Sequence, residues 1–589
     1  MNNVKSIVIW LLVALAGAIA FAMLALSRGE HVNAVWLVIA AVSCYSIAYR
    51  FYSLFIAKKV FELDDRRVTP AERHNDGLDY VPTNKWVLFG HHFAAIAGAG
   101  PLVGPILAAQ MGFLPGTIWI LVGVMFAGAV QDFLVLFIST RRDGRSLGEM
   151  AKQELGTFAG VVTMLGALGV MIIILSALAL VVVKALAHSP WGVFTIAATI
   201  PIALFMGVYM RFLRPGKIAE VSLIGFVLMM MAIVYGGDIS GFHALVSSGT
   251  TPKLIERESH IRMIGYGAML MESFVAIMAL ICASVIDPGV YFAMNSPSAL
   301  IGTTVEQASQ VINGWGFMIT PEALSEIAKD VGEASILSRA GGAPTFAVGM
   351  AHIITEIFNS RAMMAFWYHF AILFEALFIL TAVDAGTRAC RFMVQDLVGL
   401  AVPGMGKSHS WLGNMAGTTV AVAGWGFFVY QGVIDPLGGI NTLWPLFGIG
   451  NQMLASMALI LGTVVLFKMK KQRYAWVTIL PTIWLFITSM TAGWQKIFHE
   501  KASIGFLAQA KRFSLGIEQG TLIAPAKTIK DMETIVFSNQ INAALCGFFM
   551  LVAVTMLISA FFVIRRALAS ETPTAKEVAV ILREETTHR

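Results

Sequence analysis

The sequence predicts an all-α polytopic membrane protein of about 14 transmembrane helices, some discontinuous, built around an inverted pair of five-helix units. Three observations carry that expectation. The 589 residues are 57% hydrophobic and only 13% charged, with a mean hydropathy of +0.75, far outside the range of soluble globular chains. Apolar runs of about 20 residues, the length that crosses a bilayer, recur along the whole chain. One of them, GHHFAAIAGAGPLVGPILAAQMGF at 90–113, is interrupted in its middle by Gly98, Gly100, Pro101, Gly104 and Pro105.

Taken in order, the spans fall near 6–26, 33–56, 87–111, 116–140, 159–187, 191–211 and 217–237, and then 264–294, 343–358, 363–398, 413–432, 441–467, 474–491 and 541–564. The first is an anchor retained in the mature chain, since its apolar run exceeds a signal-peptide core. Short loops on the cytoplasmic side of a membrane carry an excess of Lys and Arg. Lys58, Lys59, Arg66, Arg67, Arg73 and Lys85, then Arg141, Arg142, Arg145 and Lys152, then Arg211, Arg214 and Lys217, and Lys468, Lys470, Lys471 and Arg473 all fall on one side of this arrangement. The loops at 112–115, 188–190 and 433–440 carry none. Both termini are then cytoplasmic. The loop 492–540 is basic yet external, which its length permits.

This topology makes 87–111 run outward and 264–294 run inward. The domains follow. Residues 1–86 hold two helices and a basic cytoplasmic loop, 87–237 the first five-helix repeat, and 238–263 an external loop. Residues 264–467 hold the second, inverted repeat, and 468–589 two last helices, the external loop 492–540 and a solvated cytoplasmic tail. Transporters built this way place their site at the midplane between repeats.

A helix broken inside hydrocarbon is tolerated only where protein or a wet cavity satisfies the loose backbone groups. Proline lacks an N–H, so Pro101 and Pro105 free the carbonyls of Ala97 and Pro101, and a helix restarting near Leu102 presents unpaired N–H groups. Free carbonyls suit a cation and free N–H groups suit an anion, so the break is a candidate binding site for either. Substrate contacts are therefore expected at Gly98, Gly100, Pro101 and Gly104, with Ser273 on the partner span.

Ionisable groups inside a membrane are costly and mark function by default. His92, just before the break, exchanges protons near neutral pH with little perturbation; the bland alternative for it and His91 is an interfacial pair. Glu272 lies within 264–294, and Glu375 and Asp384 lie in the long span 363–398, where Asp384 and Arg388 are spaced to pair at i,i+4. These four, His92, Glu272, Glu375 and Asp384, are the expected ion- or proton-coupling residues. A helix over 363–398 would be ~54 Å long, so Arg388, Arg391 and Asp396 also fit an ion-pair cluster at the membrane surface. Gln131-Asp132, Asp287-Pro288-Gly289 and Asn451-Gln452 complete the set, with Pro288 marking a second break.

Other chemistries lack their motifs. Residues 401–408 end in Gly-Lys-Ser but have Ala401 where a P-loop needs its first glycine, and they follow a membrane helix instead of a strand. Cys44, Cys282, Cys390 and Cys546 show no zinc spacing and read as packing residues. No enzyme, cofactor, metal site or nucleic-acid partner is expected, and the net charge of +6 serves topology.

The strings FGHHFAAIAGAGPLVGPILAAQMGFLPG, VQDFL, ALICASVIDPG, EALFILTAVDAGTRACRF and PLGGINTLWPLFGIGNQMLA resemble the carbon starvation protein A (CstA) family of bacterial inner-membrane transporters over residues 81 to about 460. The resemblance implies a leucine-transporter-type core. It also implies a substrate class, peptides for some members and pyruvate with protons for others. The expectation is a secondary active transporter, a proton-coupled symporter taking up a small carboxylate nutrient in carbon starvation. The runner-up is a membrane sensor that binds the same ligand without moving it. An intramembrane metal enzyme using His91, His92 and Asp132, and a passive channel, are weaker readings. The bilayer and a small solute are the expected partners; oligomeric state stays open.

Overall fold

The structure is a computed structural model and describes residues 2–26, 34–77, 80–186, 190–214, 220–221, 224–225, 251–339, 342–406 and 410–583. Among these, nine helices are long and apolar enough to cross a membrane, or ten if one bent pair is a single span. We number the elements in chain order. They are α1 (Asn2–Leu26), α2 (Ala34–Phe61), the bent pair α3 (Lys85–Ile96) and α4 (Ala99–Ala108), α5 (Phe113–Thr140), α6 (Leu147–Leu155), α7 (Thr157–Leu186) and α8 (Pro190–Val208). After the gap come α9 (Arg262–Ser284), the short α10 (Pro288–Asn295), α11 (Val305–Gly314) and α12 (Pro321–Asp330), and α13 (Ala343–Phe358). The remainder are α14 (Met364–Ala401), α15 (Trp411–Ile434), α16 (Gly439–Lys468), α17 (Trp476–Phe498), α18 (Phe506–Glu518) and α19 (Ile529–Ala569).

Among the described residues, nine or ten of the fourteen expected crossings qualify by length and apolarity. The apolar parts of α1 and α8 and the whole of α13 fall short of a full crossing, and almost all of the span expected at 217–237 lies outside the described residues. Helix α13 is short for a reason visible in its caps. Gly342 at φ +82° and Pro344 in the first turn start it against Val103 in the middle of α4, and Asn359 in the left-handed region stops it sixteen residues on.

Three of the four basic loops, 57–86, 141–152 and 468–473, gather on one face. Arg141 pairs with Glu258 at 3.0 Å, Arg67 with Glu577 at 2.9 Å, Lys471 with Glu62 at 2.8 Å and Lys468 with Glu154 at 2.7 Å. Two expectations are corrected by the same contacts. The described part of 238–263 is on the basic face and not opposite it, since Thr83 bridges to Ile255 and Arg583 donates to the Glu256 carbonyl. The described part of the tail is mostly exposed, but it is not a free end either. It runs back as a strap whose backbone bonds Arg141, Arg66 and Val68 through Val578, Arg583 and Ile581.

A third correction follows. Because 251–261 is on the basic face, α9 starts beside Lys85 and ends beside the far end of α4, where the Tyr291 hydroxyl donates to the Ile106 carbonyl at 2.7 Å. The broken span and α9 therefore run parallel, and 87–111 and 264–294 are not the inverted pair. A helix of opposite sense that is distant in sequence and packs on the broken span is α14, which starts on the far face and reaches the basic face near Asp396, bonded to Ser146 at 2.7 Å.

Candidate functional site

The break comes earlier than the prolines suggest. Asn84 caps α3 by accepting from the Trp86 N–H, the helix ends at Ala97 (φ −81°, ψ 35°), and Gly98 starts α4 at an angle of 45°. Pro101 then lies in the first turn of α4, where an N–H has no acceptor anyway, so it favours the restart instead of causing the break. Only Pro105 interrupts a helix interior. Gly98 is needed for close approach, because a Cβ there would stand 3.0 Å from the Cβ of Ala382 on α14. Phe93 and Phe378 tilt together at 6.2 Å one turn away. Helix α14 thus lies directly against the break.

His92 is fully buried on α3. Its Nε2 is 2.7 Å from Asp132 Oδ2 on α5, and its Nδ1 is 3.0 Å from the Thr251 hydroxyl. Asp132 is 3% exposed and Thr251 is fully buried. A π-turn at Val124–Gly128 in α5 and another at Arg262–Gly267 opening α9 place these groups. The two turns interlock: the Tyr266 hydroxyl donates to the Met125 carbonyl at 2.9 Å, and a Cβ on Gly265 would be 2.9 Å from the Phe133 Cα. Such bulges commonly mark functional sites in helices. An imidazole held between a carboxylate and a hydroxyl can donate to the first while accepting from the second, or donate to both when protonated.

Glu272, half-buried on α9, is close enough to Asp132 for the two carboxylates to interact. Ser273 beside it is 2% exposed and shares a short hydrogen bond with the Tyr45 hydroxyl of α2. Glu375 on α14 is 1% exposed, and neither carboxylate oxygen has a hydrogen-bond partner among the described residues. The structure thus brings His92 together with Asp132 and leaves Glu272 within electrostatic reach of Asp132. Glu375 stands apart on the helix that closes on the break. Asp384 joins neither group: it is exposed and lies 3.6 Å from Arg388, the i,i+4 pair its spacing predicts. The second break at Pro288 is the end of α9, where Asp287 caps the short α10 by accepting from Gly289 and Val290.

On the basic face, Glu154 lies between Arg142 at 2.7 Å and Lys468 at 2.7 Å. Burial works to raise its carboxyl, and the guanidinium and ammonium overcome that and hold it below the usual carboxylate range. Asp64 is held down to about 2 by hydrogen bonds from Arg66.

Sequence reasoning grouped Asp132 with His92 only in the metal-enzyme reading and not among the coupling residues, and it missed Thr251 and Tyr45. An acid inside a span was the available signal for Asp132; a threonine in a polar loop offered none.

Nine or ten helices long and apolar enough to cross a membrane among the described residues, with buried ionisable groups around a broken helix, define the class as a polytopic helical membrane protein. The family is then given by comparison. The chain matches the carbon starvation protein CstA family over residues 33–239 and 236–492, and it belongs to that family. It is 51% identical to the peptide transporter CstA of Escherichia coli (strain K12), covering 98% of this chain and 97% of that one. It is 47% identical to the pyruvate/proton symporter BtsT of the same organism, over 94% of each chain. The peptide transporter CstA of Bacillus subtilis (strain 168) is 36% identical over 78% of this chain and 90% of its own. No solved structure matches.

The alignment with the first of these extends over 681 residues, well beyond the 589 of this chain. The relative therefore carries a long additional stretch within the aligned region.

Proposed function

We propose that the chain is a secondary active transporter, a proton-coupled symporter that takes up a small carboxylate nutrient, peptide or pyruvate, during carbon starvation. It resides in the bacterial inner membrane with the basic face and both termini cytoplasmic. The proposal includes fourteen crossings and a leucine-transporter-type core, with the inverted partner of the broken span sought outside 264–294. The observation that carries it is the break at Gly98 lying against α14, with His92–Asp132 before it and Glu375 on the closing helix.

The substrate carboxylate docks on the Gly98-to-Gly104 backbone, accepting from the N–H groups of Gly98 and Gly100 that open α4, where unpaired donors and the helix dipole favour an anion, while Pro101 and Gly104, with no free N–H, line the approach. Ser273 turns from Tyr45 to the substrate. The proton is carried by His92 with Asp132 and Glu272, and by Glu375, a carboxyl free of competing hydrogen bonds. Asp384, paired with Arg388 at the surface, stays off this path. Movement of α14 against the Gly98 contact opens the site to one face and then the other.

The test is uptake of labelled pyruvate and of labelled dialanine into proteoliposomes, with and without an inward proton gradient. The proposal expects accumulation of at least one solute only with the gradient. Accumulation that follows a sodium gradient and ignores protons contradicts the coupling. No uptake of either solute contradicts the substrate class.

A further inference from the structure

At the end of the bundle opposite the basic face, the hairpin between α15 and α16 meets the start of α19 around a cavity of about 20 Å³. A site needs roughly 10–15 Å³ by this measure to hold one water, so a single water-sized particle fits. Five polar side chains line the cavity: Gln431, Asp435, Thr442, Ser538 and Asn542. All five supply a side-chain oxygen. Phe427, Phe428 and Phe537 wall it from the surrounding apolar phase.

Three features set it apart from an ordinary capped turn. Asp435 is 7% exposed and has no salt-bridge partner among the described residues; Lys184, on the exposed end of α7, is the cation nearest in effect. The Asp435 carboxylate accepts from the Leu437 N–H at 2.9 Å and from the Thr442 hydroxyl at 3.0 Å, which leaves lone pairs on both oxygens. Asn542 is 3% exposed and makes no hydrogen bond among the described residues. A buried amide without a partner is rare in folded proteins. Here it faces the same cavity as a buried carboxylate.

We propose that this cavity is a sodium site, with Asp435, Thr442, Gln431, Ser538 and Asn542 supplying oxygen ligands. Hard cations take oxygen donors, and a single carboxylate balances a single positive charge. A divalent ion would leave uncompensated charge in a region walled by phenylalanine. An organic ammonium is too large. The close approach of Gly439 to the Gly432 carbonyl, where a Cβ would stand 2.3 Å from that oxygen, holds the two arms of the hairpin together and fixes the span between Gln431, Asp435 and Thr442. The bound ion would tie this hairpin to α19 through Ser538 and Asn542, which are four residues apart on one face of that helix. The site is independent of the proton groups near His92 and Glu375, and it does not rest on the transport reading.

The test is thermal unfolding of the purified full chain in detergent, in sodium chloride, potassium chloride and choline chloride at matched ionic strength. A ligand bound only by the folded state raises the melting temperature with its concentration. Sodium is expected to raise it by several degrees relative to choline, with potassium giving less than half that shift. Asp435→Asn should abolish the difference. Asn542→Leu and Ser538→Ala, each milder, should move the half-effective sodium concentration at least several-fold upward. Equal melting in sodium and choline overturns the site. So does a potassium effect equal to sodium's, or a sodium effect untouched in all three variants. Because no transport is measured, each of these results leaves the symport proposal standing.

Discussion

Replacing Glu375 by leucine separates a functional carboxyl from a structural one. The residue is 1% exposed and both its oxygens lack partners, on a helix face it shares with buried Ala371, Ile372 and Ile379. Leaving a buried polar group unsatisfied costs about 1–3 kcal/mol, and a leucine removes that cost while keeping side-chain volume. Glu375→Leu is therefore expected to be more stable than the parent by about 1–3 kcal/mol, read as a higher melting temperature in detergent. Glu375→Gln keeps an unsatisfied polar group and gains nothing. Both variants are expected to lose gradient-driven uptake, because neither side chain exchanges a proton. A carboxyl kept at the expense of stability is the signature of function. The reasoning is refuted if the leucine variant melts below the parent, or if either variant still accumulates solute.

Three further expectations follow from named contacts. Asp132→Ala leaves the buried His92 ring without its 2.7 Å partner and should lower stability by about 1–3 kcal/mol, with Thr251→Val costing less; equal melting of both variants and the parent would remove the pair from the core's hydrogen-bond framework. Gly98→Val should cut uptake more than tenfold, since its Cβ meets Ala382 at 3.0 Å, whereas Gly90→Ala, with open space around its Cβ, should leave uptake unchanged. Glu154 is depressed in the folded state, so its contribution is present above the ordinary carboxylate pKa and is lost as pH falls through the lower folded value. Melting temperature should therefore drop from pH 6 to pH 3, and Glu154→Gln should flatten that drop while costing about 3–5 kcal/mol at neutral pH, because Arg142 and Lys468 lose their shared anion.

Length, hydropathy and loop charge were enough to read the helical membrane class and the gathering of 57–86, 141–152 and 468–473 on one face. The break was legible because Gly and Pro at 98–105 cannot continue a helix in lipid without a reason. Its position was not: the prolines drew attention to Leu102, whereas the start of a helix tolerates Pro101 and the true break is at Ala97–Gly98. The inverted pairing failed on parity. A reading by alternate crossings needs every crossing between 237 and 264 to be counted correctly. With Thr251 to Ile261 on the basic face, α9 points the same way as α3 and α4. The Asp384–Arg388 pair was legible from spacing alone, but spacing could not say that it faces outward. Asp132 meets His92 only through the interlocked π-turns of α5 and α9, and neither turn has a sequence signal as plain as a proline.

The central claim, that this chain moves a proton together with a carboxylate solute, is tested most directly by a pH-sensitive dye trapped inside proteoliposomes with no imposed gradient. Adding pyruvate or dialanine outside should acidify the interior within the time of solute entry, and Glu375→Gln should abolish the signal. Solute entry with no change in internal pH would contradict the account.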